Sequence, residues 1–207
     1  MIEEYDTPHG PARAALDRPA GRPVSLLVLG HGAGGDVDAP DLVAVCTAAL
    51  RAGVAVARVT QPYRVAGRRS PAPAGQLDAA FTAVVTAIRT ERGLGTLPLI
   101  VGGRSSGARV ACRTATGLRA AGVVALAFPL HPPGAPERSR ADELASGVPT
   151  LVVNGDRDPF GVPTSPDQTV AVCVLPGERH DLKRDPAAVA EAVLAWLERR
   201  GWCRKRH

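Results

Sequence analysis

The sequence predicts an α/β fold with a mostly parallel, doubly wound sheet flanked by helices. Short apolar runs alternate along the chain with segments in which apolar residues recur every three or four positions, and these are the patterns of buried strands and amphipathic helices. The runs are apolar at nearly every position, as at 26–29, which is typical of parallel strands covered on both faces. The 207 residues suffice for a substantial core, so we expect a single domain over 1–207.

The predicted elements follow one another in the order that such a sheet requires. Gly53 follows the first predicted helix and Pro186 begins the last one, as is typical of helix ends. In chain order, the elements are strand 26–29, helix 41–51, strand 54–59, helix 76–92, strand 97–101, helix 106–119, strand 123–128, a short helix candidate 138–145, strand 149–155, strand 171–175 and helix 186–200. The basic segment 201–207 is predicted to be a flexible tail.

The most informative segment is 103–107, with the sequence Gly-Arg-Ser-Ser-Gly between a predicted strand and a predicted helix. Glycine two positions before and after Ser105 lets the backbone turn sharply, and such a turn exposes the serine hydroxyl above the sheet. The turn also places Ser105 at a helix N-terminus, where free N–H groups favour a developing negative charge. The segment therefore predicts a nucleophile elbow, although glycine-serine clusters also occur in ordinary turns.

Three further segments supply groups that a serine nucleophile needs. The strand 26–29 runs into the glycine-rich loop 30–35, and a loop of this kind supplies a backbone donor for an oxyanion. Asp156 and Asp158 directly follow the strand 149–155, and His180 lies between the last strand and the last helix. The chain order is therefore serine, aspartate, histidine.

On these residues and this order, the chain resembles the α/β-hydrolase superfamily, in particular its small dienelactone-hydrolase-like members. A closer resemblance is to a group of predicted hydrolases that includes testis-expressed-protein-like sequences and the hydrolase-like domain of a chromatin-complex subunit. It is carried by the segments 31–35, 103–107, 128–134 and 155–161. The resemblance implies an α/β-hydrolase fold and hydrolase chemistry but little about the substrate. Many members insert a cap domain at 130–149, where this chain has only a proline-rich loop and one short helix candidate, so we expect no large cap.

The resemblance also assigns catalytic roles. Ser105 is expected to attack a carbonyl carbon while His180 takes its proton, and an aspartate holds the imidazole in place. Asp158 is preferred for this aspartate because the family pattern places the acid a few residues beyond the glycine that ends the strand. Asp156 is the alternative, and its other possible role is to cap the loop through backbone N–H groups.

The expected oxyanion donors are the backbone N–H groups of Ala33 and Ser106. The alternative for the loop 31–35 is a plain flexible turn. His31 is expected to hold this loop by hydrogen bonds rather than to transfer protons, and it is also a candidate substrate-binding residue.

Two more residues are candidates for substrate binding. His131 follows the strand 123–128 at the carboxyl edge of the sheet, where open α/β sheets bind ligands. The alternative is a solvent-facing histidine on a proline-stiffened loop. Arg104 lies next to the nucleophile, so whatever it binds should affect the site, and an acidic substrate would suit its guanidinium. The arginines at 64–69 are interpreted as surface residues of an arginine-biased chain.

Charge and cysteine content say less about function. The formal net charge is +5, but Lys183 and Lys205 are the only lysines, so the basic excess reflects a bias toward arginine. The basic end of the chain has no aromatic platform or groove-reading motif, so we expect a solvated end rather than nucleic-acid binding. The four cysteines lack CxxC spacing, which favours free thiols over disulfides or a metal site.

No apolar run approaches the ~20 residues of a membrane span, and the N-terminus lacks the pattern of a signal peptide. The sequence therefore predicts a cytoplasmic serine hydrolase that acts on a small ester or thioester through an acyl-enzyme, without a metal or organic cofactor. The second hypothesis is a catalytically silent binding or scaffold protein that keeps the fold. The presence of Ser105, Asp158 and His180 favours the enzyme.

Overall fold

Eight strands form one sheet in the computed structural model, which describes residues 2–165 and 167–205. The strands are β1 (Ile2–Tyr5), β2 (Ala12–Asp17), β3 (Ser25–Gly30), β4 (Val54–Thr60), β5 (Leu99–Arg104), β6 (Gly122–Leu126), β7 (Thr150–Gly155) and β8 (Val170–Leu175). The helices are α1 (Pro40–Arg51), the single turn α2 (Pro62–Val65), α3 (Ala74–Thr90), α4 (Ser106–Thr114), α5 (Pro186–Arg199) and a 3-10 turn at Ala141–Leu144. The spatial order of the strands is β1-β2-β4-β3-β5-β6-β7-β8.

The sheet is parallel from β4 to β8 and antiparallel at its N-terminal edge, where β1 pairs with β2 and β2 pairs with β4. The predicted mostly parallel sheet is confirmed. The sequence pattern did not indicate the antiparallel hairpin, because three of the four residues of β1 are exposed at the edge and most of them are charged. Such a strand has no apolar run by which it could be recognised.

Two apolar layers cover the faces of the sheet. Helices α3 and α4 pack on one face, with Phe81 and Val110 in the layer between. Helices α1 and α5 pack on the other face, with Val45 and Val193 in that layer. Every residue of β3 is buried, as the uninterrupted apolar run predicts for a strand covered on both sides.

The connection between β6 and β7 contains only the 3-10 turn as regular structure, so the expectation that a large cap is absent is confirmed for the described residues. Helix α4 ends at Thr114, five residues before its predicted end. It is followed by a turn in which Arg119 adopts a positive φ of 52° and the Ala120 N–H donates to the Ala115 carbonyl oxygen. Within residues 2–165 and 167–205, no helix has the length and apolar character that crossing a bilayer would require.

The end of the chain is packed as far as the structure describes it, whereas the sequence predicts a flexible tail over 201–207. The Trp202 ring lies edge-on to Trp196, with 5.2 Å between ring centroids, and its carbonyl oxygen accepts a 2.6 Å hydrogen bond from the Ser25 hydroxyl. The Arg204 N–H donates to the Ala52 carbonyl oxygen at 2.8 Å. The basic residues suggested a solvated tail, but Trp202 anchors the segment; residues 206–207 lie outside the described part of the chain.

Candidate active site

Ser105 lies at the turn between β5 and α4 in the conformation expected of a nucleophile elbow. Its φ of 52° is positive, which is unfavourable for a residue other than glycine. The Ser105 N–H donates to the Leu126 carbonyl oxygen at 2.9 Å, which helps to hold this conformation. A Cβ atom at Gly103 would lie 2.5 Å from the Gly30 carbonyl oxygen, and one at Gly107 would overlap the same oxygen. Both glycines are therefore required by the close approach of Gly30 at the end of β3.

His180 connects the serine to a carboxylate. Its Nε2 lies 2.8 Å from the Ser105 hydroxyl oxygen, and its Nδ1 lies 2.8 Å from Asp158 Oδ2. Since a carboxylate accepts from Nδ1–H, Nε2 is left to accept the serine proton. The Phe160 ring stacks on the imidazole with 4.0 Å between centroids. The side chain of Asp158 is completely buried, and that of His180 is 21% exposed, so only the histidine end of the pair meets solvent.

The Asp158 carboxylate is held by groups other than His180. Its Oδ1 accepts a 2.8 Å hydrogen bond from the Phe160 N–H, and its Oδ2 accepts one of 3.3 Å from Asn154 Nδ2. Asn154 is fully buried, and its Oδ1 accepts from the Phe128 N–H at 2.8 Å. Sequence reasoning missed Asn154. The available signal was a single amide side chain inside an otherwise apolar strand.

Asp156 has a different position and a different partner. It is exposed, and its Oδ1 accepts a 2.7 Å hydrogen bond from the Gly177 N–H in the loop that leads to His180. This is the loop-capping arrangement that the sequence left open as its other role. In the same loop, the buried Glu178 carboxylate accepts from the Arg184 and Asp185 N–H groups before α5. Sequence reasoning also missed Glu178.

Two side chains hold the glycine-rich loop after β3 by hydrogen bonds. His31 is buried, and its Nε2 accepts a 3.1 Å hydrogen bond from the Gln61 N–H, which leaves Nδ1–H to donate to the Gly32 carbonyl oxygen at 2.7 Å. Burial lowers the pKa of His31, which favours this neutral form. The Tyr63 hydroxyl donates to the Ala33 carbonyl oxygen at 2.6 Å. The contacts of His31 are thus those of a residue that supports the loop, and its part in substrate binding stays a prediction.

This loop also contacts the elbow. A Cβ atom at Gly32 would lie 3.6 Å from Ser105 Cβ, so the loop that contains the Ala33 N–H borders the serine. Ser106 is the first residue of α4, where backbone N–H groups have no partner within the helix. The two backbone donors that the sequence predicts thus belong to segments that flank Ser105.

Arg104 points into the protein. Its Nε lies 3.2 Å from Asp41 Oδ2, its Nη2 donates to the His180 carbonyl oxygen at 3.5 Å, and its side chain is 14% exposed. A Cβ atom at Gly35 would lie 3.7 Å from Nη1. Arg104 therefore ties β5 to α1, to the glycine-rich loop and to the loop of His180. The contacts that the structure shows for Arg104 are internal, and its substrate-binding role stays a prediction.

His131 lies beside the loop that carries Asp158. Its Nδ1 is hydrogen-bonded to the Pro132 carbonyl oxygen at 2.9 Å, and its backbone N–H donates to the Phe160 carbonyl oxygen at 3.0 Å. Its ring packs so closely against Gly161 that a Cβ atom there would overlap Nε2. His131 is half-buried, and its contacts favour a part in shaping the carboxyl edge near Phe160 over a solvent-facing position.

The Asp41 carboxyl should make stability depend on pH. Burial raises its pKa from 3.8 to about 6, and Arg104 only partly opposes this. Below pH 6 the folded chain takes up a proton that the unfolded chain does not bind until near pH 4, so this group favours the folded state as the pH falls. Relative to Asp41→Asn, the parent should gain about 2 kcal/mol of unfolding free energy between pH 7 and pH 4. Denaturant titration at both pH values measures this difference.

The control for this experiment is Asp36→Asn, which removes an exposed carboxylate from the loop before α1. All other titrating groups are shared by the parent and Asp41→Asn, so their contributions largely cancel in the comparison. If the difference in unfolding free energy between the parent and Asp41→Asn stays constant from pH 7 to pH 4, the raised pKa of Asp41 is contradicted.

A family model described as an alpha/beta hydrolase domain matches residues 23–192. No curated protein matches the sequence significantly. Several solved structures share the fold at low identity. A serine hydrolase without a lid from Xanthomonas campestris is 20% identical, with a TM-score of 0.76 over 100% of this chain and 96% of the other. The dienelactone hydrolase from Anabaena variabilis is 17% identical, with a TM-score of 0.73 over 96% of each chain.

An esterase domain of a protein from Rhodothermus marinus is 14% identical, with a TM-score of 0.72 over 96% of this chain and 98% of the other. At such identities the likeness concerns the fold. The family model spans most of the chain, from β3 into α5, and includes the elbow and the loops of Asp158 and His180. The chain belongs to the alpha/beta hydrolase domain family.

Proposed function

We propose that the protein is a serine hydrolase that cleaves a small carboxylic ester or thioester through an acyl-enzyme. The observation that carries the proposal is the unbroken chain of hydrogen bonds from Ser105 through His180 to Asp158, with 2.8 Å at each step. These three groups have the geometry of a nucleophile, its general base and the acid that orients the base. They lie at the turn and loops that the family model covers.

In the first half-reaction, the Ser105 oxygen attacks the carbonyl carbon of the substrate while His180 Nε2 takes the hydroxyl proton. The buried Asp158 carboxylate stabilises the imidazolium that forms and keeps its Nδ1–H directed inward. When the tetrahedral intermediate collapses, His180 returns the proton to the leaving alkoxide or thiolate. An alcohol or thiol departs, and Ser105 carries the acyl group.

In the second half-reaction, water attacks the acyl carbon while His180 Nε2 takes one of its protons. Collapse of the second intermediate breaks the bond to the Ser105 oxygen, which regains a proton from His180. A carboxylic acid is released. In both half-reactions, each proton that moves is taken and returned by His180. The proposed chemistry therefore requires no metal or organic cofactor.

The negative oxygen of each intermediate would be stabilised by the N–H groups of Ala33 and Ser106. Support for this role comes from the two side chains that fasten the loop, His31 and Tyr63, since a rigid donor costs little reorganisation during the reaction. Ser106 begins α4, so the positive end of that helix faces the same region. The substrate class is supported by two structural neighbours, an esterase domain and a dienelactone hydrolase.

A fluorophosphonate probe tests the proposal directly. We expect one phosphonyl adduct in the intact mass of the native protein and, after proteolysis, its location on the peptide that contains Ser105. The guanidinium-unfolded chain is the control and should remain unlabelled, because the serine is activated only when His180 lies beside it. A folded protein that gains no adduct would contradict the proposal and favour a catalytically silent binding or scaffold protein.

A further inference from the structure

One residue of a buried ion pair directly precedes the proposed nucleophile. Arg104 is followed by Ser105, and its Nε lies 3.2 Å from Oδ2 of Asp41, the second residue of α1. The side chain of Asp41 is completely buried, and that of Arg104 is 14% exposed. The mechanism proposed above uses neither of these charges.

Stability alone does not account for this pair. Taking two charges out of water is unfavourable, and their mutual attraction often does no more than offset this. Burial raises the pKa of Asp41 to about 6, although Arg104 and the backbone N–H groups of Asp41 and Leu42 oppose the rise. The folded chain therefore loses stability by keeping this carboxylate ionised at neutral pH. Groups held in such an unfavourable state are concentrated at functional sites.

The guanidinium of Arg104 lies beside three segments that build the proposed site. Its Nη2 donates to the His180 carbonyl oxygen at 3.5 Å. Its Nη1 faces the glycine-rich loop, since a Cβ atom at Gly35 would lie 3.7 Å from it. A Cβ atom at Gly32 would lie 4.0 Å from Nη1 and 3.6 Å from Ser105 Cβ. The guanidinium is thus located where the elbow, the glycine-rich loop and the loop of His180 meet.

Asp41 determines the position of this guanidinium. Arginine has a long, flexible side chain, and most arginines extend their charge into water. A carboxylate buried beside Nε favours the inward conformation of Arg104 as long as the carboxylate is ionised. The Asp181 carboxylate, in the loop before α5, also raises the pKa of Asp41, but it is paired with Lys183 at 2.8 Å. Arg104 is thus the cation that faces Asp41.

We propose that the ionised Asp41 carboxylate holds Arg104 in place as a positioning residue for His180. The guanidinium keeps the His180 backbone where Nε2 lies 2.8 Å from the Ser105 oxygen. The proposal rests on the proposed serine-hydrolase function and adds a buried charge on which the rate depends. Both side chains act through the position of His180, and a displacement of about 1 Å at a catalytic group can lower a rate by about 10²-fold.

The test compares the parent with Asp41→Asn on 4-nitrophenyl acetate at pH 8 and pH 5, read at the isosbestic wavelength of the product. This ester is neutral and offers no charge for Arg104 to bind, so its rate reports the position of the catalytic groups. At pH 8 we expect kcat and kcat/KM of Asp41→Asn to be about tenfold lower, with little change in KM. At pH 5 residue 41 is mostly neutral in both proteins, so the difference should fall to about twofold.

The dependence on pH distinguishes positioning from packing. Asparagine has nearly the shape of aspartate, so a role in packing alone would give the same difference at both pH values. The titration of His180 is common to both proteins and cancels in their ratio. The control is Asp78→Asn, the same exchange in a second ion pair, where Asp78 on α3 lies 2.7 Å from Arg113 on α4. It should keep the parent's rate at each pH.

Arg104→Met and the double variant Asp41→Asn/Arg104→Met complete a mutant cycle. If Asp41 acts through Arg104, both single variants and the double variant should show about the same tenfold loss at pH 8, whereas independent roles would multiply the losses to about 100-fold. The double variant removes both charges, so no unpaired buried charge remains if Arg104→Met alone folds poorly. The rate of fluorophosphonate labelling at Ser105 should follow the same pattern.

The outcomes separate the two proposals. Equal rates of the parent and Asp41→Asn at pH 8, a difference that is the same at pH 5, or multiplied losses in the double variant would overturn the positioning role and leave the serine hydrolase standing. A higher KM with an unchanged kcat would do the same, because the pair would then serve substrate binding. If the folded parent neither hydrolyses the ester nor gains an adduct, both proposals fail.

Discussion

Ser105→Ala is expected to lower kcat for ester hydrolysis by about 10⁴-fold or more and to remove the fluorophosphonate adduct. The substitution deletes the atom that attacks the carbonyl carbon but leaves His180, Asp158 and the flanking backbone N–H groups in place. Residual catalysis from these groups limits how large the loss can be. Initial rates on 4-nitrophenyl acetate and the intact mass after labelling measure the two effects.

The fold should survive this substitution, because the φ of 52° at Ser105 is unfavourable for serine and alanine alike. Denaturant titration of both proteins checks this. Ser70→Ala, the same exchange at an exposed serine before α3, is the control for the substitution itself. Labelling that persists in Ser105→Ala and maps to Ser106 would assign the nucleophile to the neighbouring residue instead.

Sequence patterns predict those parts of the fold that depend on residues close together along the chain. A strand buried on both faces needs an apolar residue at each position, so β3 and β5 were visible as runs. The elbow was visible because Gly103 and Gly107 are needed where the backbone passes within contact of Gly30. The order of serine, aspartate and histidine then indicated which loops would meet at one edge of the sheet.

The parts that sequence patterns missed depend on partners distant along the chain. The side chain of Arg104 turns inward because of Asp41, which lies in another element, and nothing in the elbow segment indicates that direction. Trp202 is held by Trp196 and Ser25, so a segment that looks like a solvated basic end is packed. Gln61 is a single amide after β4, and only the fold reveals that its carbonyl end is buried with no hydrogen-bond partner among residues 2–165 and 167–205.

The choice between the two aspartates shows how much the structure adds. They are two residues apart on the same turn, and the sequence favours Asp158 only through the pattern of the family that the chain resembles. In the structure the buried Asp158 lies 2.8 Å from His180, whereas the exposed Asp156 accepts from the Gly177 N–H in the loop that leads to His180. Substituting each by asparagine makes a matched pair, because both changes remove one charge and keep the side-chain shape.

Asp158→Asn is expected to lower kcat by about 10³- to 10⁴-fold with little change in KM. The Asn154 amide and the Phe160 N–H donate to the two carboxylate oxygens, so one of these donors would face the new NH₂ group. If that NH₂ group faces His180, it forces Nδ1 to accept, and the proton then sits on Nε2, where the imidazole cannot take the proton of Ser105. Steady-state kinetics and the rate of fluorophosphonate labelling should fall together.

Asp156→Asn should change kcat by less than about threefold, since the Oδ1 of asparagine can still accept from the Gly177 N–H. The two variants thus distinguish a carboxylate that acts through His180 from one that only caps a loop. Each substitution removes one negative charge, so a difference between the variants does not come from net charge. The opposite result, with Asp156→Asn inactive and Asp158→Asn active, would mean that the loops rearrange in the working enzyme so that Asp156 reaches the imidazole. Equal and small effects would mean that His180 needs no carboxylate, and the buried contact would then serve folding alone.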